Sequence, residues 1–443
     1  MQFHYSLAWL AAGCLVGTLP AQETFRLDER VVEGARHGVR MRVEVNGTLT
    51  PPPVKGKKAT PVKLEGVSNI DYEERLLTVD ARGHVSKSLR VCERLDFKRT
   101  IAGQAQELAL RPGVRRLVIL RKAHTEVPFS PDGPLSWGEL DAVRTDVFVP
   151  DLLGLLPAKA VAVGDRWTAT NAAIEELTDL EKIDAGTLDC KFERISEIGR
   201  RRFARVTFSG TIKGVGEDGP VQHRLQGHYT FDLEGNYLAD LTLLGTTTML
   251  DGQGRPAGQI DGRLVLTRSV DTRSPYLRDD AVRDLKTEPD ADNTLLLYDN
   301  TDLGVKFLHP RRWRVAQVMG AQVALATNEG DGILITVDPS ENVPTAAAFQ
   351  EESQGWLRKQ KGKMLRTYSP KRLRERPSLD AFAFEVELGK ERFWMDYYVT
   401  AQQDGGATVA ARMHLEGLNE VRREADRIAR SVTITKRIVA KPR

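Results

Sequence analysis

Gly214-Val215-Gly216-Glu217-Asp218-Gly219 has the spacing of a dinucleotide-binding glycine loop. That chemistry needs a strand before the loop and a helix after it, with the helix N-terminus facing the pyrophosphate. Residues Val221 to Leu233 alternate as a strand instead, so these glycines read as a hairpin loop. Among the histidines only His223 and His228 are close in sequence, and a spacing of five puts them on opposite faces of a strand. Joint metal ligation is therefore not expected, and neither Cys-x-x-Cys nor His-Glu-x-x-His occurs. His309, just before Pro310, reads as a turn residue. The acidic groups Asp290-Ala291-Asp292 and Asp299 to Asp302 lack the spacing and distal Glu of a calcium loop and read as solvated linker. There is no G-x-S-x-G elbow, and Cys92 and Cys190 have no nucleophile context. None of these motifs supports a catalytic, metal or cofactor site, so a non-enzymatic role is expected; an enzyme whose Ser-His-Asp triad assembles only in space is the third and least favoured reading.

One charged stretch stands apart. Arg358, Lys359, Lys361, Lys363, Arg366, Lys371, Arg372, Arg374 and Arg376 are accompanied by a single acid, Glu375. Either they are a solvated helix end and loop, or they meet an anionic membrane surface or polyanion. The overall charge of +3 gives no sign of a nucleic-acid partner.

The first 21 residues carry an apolar run, Leu7 to Leu19, that ends at Pro20-Ala21 before polar Gln22-Glu23. This has the form of a secretory signal cleaved between Ala21 and Gln22, and an extracytoplasmic location follows, periplasmic or secreted. Lipid anchoring at Cys14 is the alternative. A bridge between Cys92 and Cys190 is disfavoured by phase: Cys190 shares a face with apolar Leu188 and Phe192 and is expected to point inward, Cys92 shares one with Arg90 and Arg94 and is expected to point outward.

Val39, Met41, Val43 and Val45 alternate with polar residues, and similar period-two runs recur at 205–212, 229–233 and 263–267. Arg42 to Thr50 (RVEVNGTLT) matches Arg205 to Lys213 (RVTFSGTIK), and Thr78 to Val91 matches Thr230 to Leu243, with four identities in each pair. The shared order reads as an internal duplication. The first copy has about eleven extra residues, which fit a loop at Pro51 to Pro61. Turns at Gly83 and Gly235 take equivalent places, each expected to hold a glycine at positive φ. The expected N-terminal fold is mainly β, a duplicated antiparallel sandwich or half-open barrel over 22–268, with 149–167 laid across its core. An Asp- and Pro-bearing linker follows at 269–294, then an α+β domain at 295–436 and a basic tail at 437–443.

In that last domain, helical spacing runs from Thr345 to Lys361, with Phe349, Trp356 and Leu357 on one face. Phe307-Leu308-His309-Pro310-Arg311-Arg312-Trp313, with the closing helix and Val432-Thr433-Ile434, resembles the PsbP-like fold, an antiparallel sheet flanked by helices. That resemblance implies an extracytoplasmic accessory or binding protein. The N-terminal strands and the connector ending Val163-Gly164-Asp165-Arg166-Trp167 resemble the lipoprotein-carrier (LolA-like) open barrel, which implies an apolar, lipid-like ligand. The alternative is a cell-envelope scaffold that binds protein and has a packed core.

Overall fold

Alternation this sustained makes long strands. The computed structural model describes residues 23–50, 60–122 and 125–438. The signal cleavage site at Ala21 and Gln22 and most of the loop expected at Pro51 to Pro61 lie outside the described residues. The chain begins with β1 (Thr24–Phe25), β2 (Arg36–Leu49), β3 (Val62–Val79), β4 (Val85–Ile101), β5 (Gln104–Ala109), β6 (Arg116–Lys122) and β7 (Thr125–Phe129). A helical stretch comes next: α1 (Trp137–Val143), a 3-10 segment Val149–Leu155, the short strands β8 (Val161–Ala162) and β9 (Arg166–Thr168), and α2 (Asn171–Thr178). The second run is β10 (Lys182–Ala185), β11 (Leu188–Ile198), β12 (Arg201–Gly216), β13 (Gly219–Asp232), β14 (Tyr237–Leu250) and β15 (Pro256–Ser269).

Thirteen of these strands form one antiparallel sheet in the order β7-β6-β4-β3-β2-β15-β14-β13-β12-β11-β9, with β5 beside β4 and β10 beside β12. The sheet is not closed into a barrel. β2-β3-β4 and β12-β13-β14 are each laid down in succession and in the same direction along it. Arg42 to Thr50 and Arg205 to Lys213 thus lie in the opening strands of two like triplets. The β3–β4 turn holds Gly83 at φ +82°, as expected. In the β13–β14 turn the left-handed residue is Asn236 (φ +53°) and not Gly235. There Gly235 is needed for space, because a Cβ on it would stand 2.6 Å from the Tyr237 ring.

One row runs in register over the middle of the sheet. Val206, Tyr229, Leu241, Leu266, Met41, Ile70 and Leu95 form one row over seven neighbouring strands, and all are buried. Each such side chain contributes roughly 1.5–3 kcal/mol by leaving water. The residues that bury this inner face come from the connector: Leu140 and Val143 of α1, Leu152 and Leu155 of the 3-10 segment, and Ile174 of α2. A capping box between Ser136 and Glu139 starts α1, and Thr170 caps α2. Tyr229 Oη and Trp167 Nε1 both donate to the Leu155 carbonyl, at 3.1 and 2.8 Å.

The acidic segment 269–294 includes α3 (Asp279–Arg283) and is anchored to the outer face of the sheet. Leu277 is fully buried against Leu89, Val118 and Phe129, and the backbone N–H groups of Arg273 and Ser274 donate to Glu73.

The remaining chain forms β16 (Leu296–Asn300), β17 (Val305–His309), β18 (Arg314–Met319), β19 (Gln322–Ala326), β20 (Gly332–Asp338), α4 (Ala346–Lys359), β21 (Lys363–Arg374), β22 (Ser378–Leu388), β23 (Glu391–Gln402), β24 (Gly405–His414), α5 (Leu418–Ser431) and β25 (Thr433–Ile434). Seven strands make an antiparallel sheet, β18-β19-β20-β24-β23-β22-β21. Val421, Ala425 and Ile428 of α5 pack on one face with Trp313; Ala346, Phe349 and Leu357 of α4 join Phe382, Phe384 and Tyr397 on the other. Trp356, expected to share the buried face of α4, is 51% exposed. Leu297 N–H donates to the Leu135 carbonyl at 2.8 Å, and Arg311 donates to the Pro128 carbonyl, so this module is held against the first.

Candidate binding face and buried charge network

The strands of the large sheet continue past the helices that cover its inner face, and burial falls row by row. Beside the fully buried row above comes Phe208, Gly227, Leu243, Leu264, Val43, Ser68 and Phe97, of which Val43 and Phe97 are half-buried. Two rows further on stand Ile212, His223, Thr247, Ile260, Gly47, Leu64 and Ile101. From Thr247 to Ile101 this row is half-buried. Val45, Leu49, Met249 and Val221 extend this inner surface, which Arg99 interrupts, its guanidinium over the Phe97 ring; the alternate residues Arg42, Asn46, Lys63, Gln259 and Arg263 face outward and are exposed. Strands alternate this cleanly when one face is meant to be covered.

Glycines shape this end. A Cβ on Gly47 would lie 2.2 Å from the Gln259 carbonyl oxygen, and one on Gly210 would lie 2.1 Å from that of Thr187. Both approaches are to the strand on the same side of the triplet, and Gly214 and Gly227 meet neighbouring carbonyl oxygens as closely, at 2.2 Å each. Glu217 stands at the β12–β13 tip. Burial raises the pKa of Asp141 above the ordinary carboxylate range, and the charge of Glu217 at that tip adds to the effect.

His223 and His228 lie on opposite faces, as expected. His223 is buried, with Nδ1 3.0 Å from Thr247 Oγ1 and Nε2 without a hydrogen-bond partner. Burial lowers its pKa to about 4. His228 faces outward into an open groove of about 500 Å³ shared with Arg166, Asp189, Lys191 and Gln226. The glycine loop is a hairpin, with Gly216 paired to Gly219.

Beneath the helices is a charge network that motif reading missed. Arg90 donates to Glu74 Oε1 at 2.8 Å and pairs with Asp146; its guanidinium stacks 4.6 Å from the Tyr72 ring. Ser88 donates to Glu74 at 2.7 Å, and His37 Nε2 stands 2.8 Å from Glu74 Oε2. Burial by itself would raise Glu74, yet Arg90 and these donors hold its carboxyl well below the usual range. Alongside, Arg121 donates to Asp151 and Glu176, both at 2.6 Å, and so ties β6 to the 3-10 segment and α2. Glu126 has a buried oxygen with no partner, and burial together with the charge of Asp146 raises it to about 8. The Arg90, Glu74 and Asp146 side chains are at most 4% exposed. A cluster so closed to solvent serves to fasten the helices to the sheet.

Its members stand in phase with apolar neighbours: His37 with Val39 and Met41, Glu74 with Ile70 and Tyr72, Arg121 with Leu117 and Ile119. That phase was the available signal. The same oversight misplaced Cys92. It does alternate with Arg90, but Arg90 is itself buried, so Cys92 points into the core and not outward. Cys92 and Cys190 are free thiols, both pushed up to about 12 by burial.

The basic stretch is a helix end followed by a strand and not by a loop. Arg358 and Lys359 close α4 and Lys361 takes a left-handed turn (φ +59°), but Lys363, Arg366, Lys371, Arg372 and Arg374 lie on β21. β21 is an edge strand interrupted by three register shifts. Cations and bulges are how sheets keep an edge from pairing with another chain. Arg372 pairs with Asp380 and Glu375, and Arg374 donates to the carbonyls of Pro377 and Arg430. Lys359, Lys361, Lys363 and Lys371 have no side-chain partner among the described residues. His309 is fully buried, its Nδ1 3.1 Å from the Pro310 carbonyl. Among the described residues there is no group of three or more His, Cys, Asp or Glu placed to hold a metal ion, and no helix long and apolar enough to cross a membrane.

No family model matches the chain, and no curated protein matches it. Solved structures offer weak likenesses. PsbP from the cyanobacterium Synechocystis is 14% identical, over 32% of this chain and 92% of that one, with a TM-score of 0.26. The Saccharomyces cerevisiae Ran-binding protein Mog1p is 8% identical, over 32% and 96%, with a TM-score of 0.24. Lipovitellin is 10% identical, over 55% of this chain and 26% of its own, with a TM-score of 0.29. At these scores none of the three bears on function. The lipoprotein-carrier likeness finds no support among these matches.

Proposed function

We propose that this is an extracytoplasmic, non-enzymatic binding protein that takes an apolar, lipid-like ligand on the inner face of its large sheet, beyond the helices. The observation that carries the reading is the half-buried apolar surface of Val43, Val45, Leu49, Leu64, Ile101 and Ile260, on strands whose other face is polar. An apolar surface of this extent, rimmed by polar residues, suits a ligand better than water. The like order of the β2-β3-β4 and β12-β13-β14 triplets supports a duplicated unit, whose two halves would together supply a surface wider than either alone. The interior beneath the helices is packed, which favours the alternative of an envelope scaffold without ligand.

Uptake of the apolar fluorophore N-phenyl-1-naphthylamine separates the two. Saturable uptake that Ile260→Asp removes, with cooperative unfolding retained, is expected of the binding protein. No uptake by the wild-type chain would return the sheet to the scaffold reading.

A further inference from the structure

Topology gathers cations at one end of the β16–β25 module. α4 passes into β21 through a tight turn at Lys361 and Gly362, and a Cβ on Gly362 would stand 2.7 Å from Leu388 Cδ2, so the end of α4 sits against the turn between β22 and β23. Lys363 and Arg392 flank Glu387 in one row across three strands. Arg358, Lys359, Lys361, Lys363, Lys390 and Arg392 are all exposed, and none has a side-chain partner among the described residues. The acids of these segments are Glu387 and Glu391; Glu352 precedes Trp356 by one turn of α4 and Glu416 follows β24, which leaves the cations in excess. Cations on the last turn of α4 suit its C-terminus, but Lys363, Lys390 and Arg392 are not explained that way. Among them stands Trp356, which shares a helix face with Lys359 three residues on. It is 51% exposed. Trp167, Trp313 and Trp394 each donate from Nε1 to an acceptor within the protein, whereas Trp356 has no such acceptor among the described residues.

We infer that this end of the module docks on a bilayer surface bearing anionic lipid, the cations meeting the headgroups and Trp356 entering the interfacial layer. An indole has an apolar body and a single N–H, and it fits the headgroup region of a bilayer better than bulk water. Clustered Lys and Arg supply an attraction that a neutral bilayer does not return. A single-stranded nucleic acid would meet the same charges, but it calls for a series of stacking platforms, and Trp356 is the one exposed tryptophan among the described residues. The inference is independent of the ligand reading above, because the large sheet takes no part in it.

The test is co-sedimentation of the full chain with phosphatidylcholine vesicles that contain or lack phosphatidylserine, with tryptophan emission read in parallel. Binding should need phosphatidylserine, weaken with added salt and shift the emission to the blue. Lys361→Ala and Lys390→Ala should each weaken it roughly fivefold. Lys371→Ala should change it little. The β22 partners of Lys363 and Lys371, Glu387 and Ala381, lie roughly 20 Å apart at about 3.3 Å per residue, well beyond a Debye length of about 8 Å. Trp356→Phe should remove the blue shift, and Ile260→Asp, on the other module, should bind vesicles as the wild type does. Equal losses at Lys371 and Lys390, a blue shift that survives Trp356→Phe, or retention on heparin without retention on the anionic vesicles overturns the inference. So does an absence of vesicle binding, which leaves the ligand face standing.

Discussion

Replacing Arg90 by methionine asks whether the buried charges fasten the helices to the sheet. The Arg90 side chain is 2% exposed and that of Glu74 0%, so removing the cation leaves the Glu74 and Asp146 carboxylates in the interior without their principal counter-charge. Breaking a buried pair in this way costs about 3–5 kcal/mol, a large part of the total stability of a domain. The stacking on Tyr72 at 4.6 Å is lost too, worth about 1–2 kcal/mol at a desolvated site. Restoring neutrality should recover much of this: the triple variant Arg90→Met, Glu74→Gln, Asp146→Asn should be more stable than the single one. Arg90 depresses the folded-state pKa of Glu74, so its contribution is present above the unfolded carboxylate value of roughly 4.3 and is lost as pH falls toward the folded value. The gap between wild type and Arg90→Met should therefore be wide at neutral pH and narrow in acid. Urea unfolding at several pH values measures it. A loss under about 1 kcal/mol, or a gap indifferent to acid, would refute the argument.

Three further outcomes are expected. Glu126 is raised to about 8, so between the unfolded value and 8 the folded chain holds the extra proton and loses stability as pH rises; Glu126→Gln should gain on wild type across that window, by at most ~1.4 kcal/mol per pH unit in urea titrations. Gly47→Ala and Gly210→Ala should each cost about 1–3 kcal/mol, because the new Cβ would press on the backbone of the next strand; a neutral effect at either would contradict so close an approach of the strands. If the β21 edge meets an anionic surface, replacing Lys361, Lys363 and Arg366 by Glu should weaken binding to phosphatidylserine vesicles, and added salt should mimic the change; retention indifferent to both leaves only an edge kept from pairing.

Much of the architecture could be read from phase. The alternation at Val39 to Val45 placed β2, and FLHPRRW placed the opening of the second module, with Trp313 fully buried. Phase failed where a charged residue was taken as a mark of solvent. Arg90, Glu74, Arg121 and His37 occupy apolar phases of their strands, and their burial depends on partners from distant elements: Asp146 follows α1, and Glu176 lies on α2. No local pattern announces such pairing. β21 was hidden for a related reason. An edge strand exposed on both faces has no apolar alternation, so Lys363 to Arg374 looked like a loop. The unpartnered Nε2 of His223 is a property of packing alone, although the separation of His223 from His228 already fixed their opposite faces.

The binding face can be tested most directly with a photoactivatable acyl ester, cross-linked to the folded chain and mapped by peptide mass spectrometry. Saturable labelling should fall on Val43, Val45, Leu49, Leu64, Ile101 and Ile260, compete with N-phenyl-1-naphthylamine, and disappear in Ile260→Asp. Labelling that does not saturate, or that falls mainly on the β16–β25 module, would contradict a ligand held on the inner face of the large sheet.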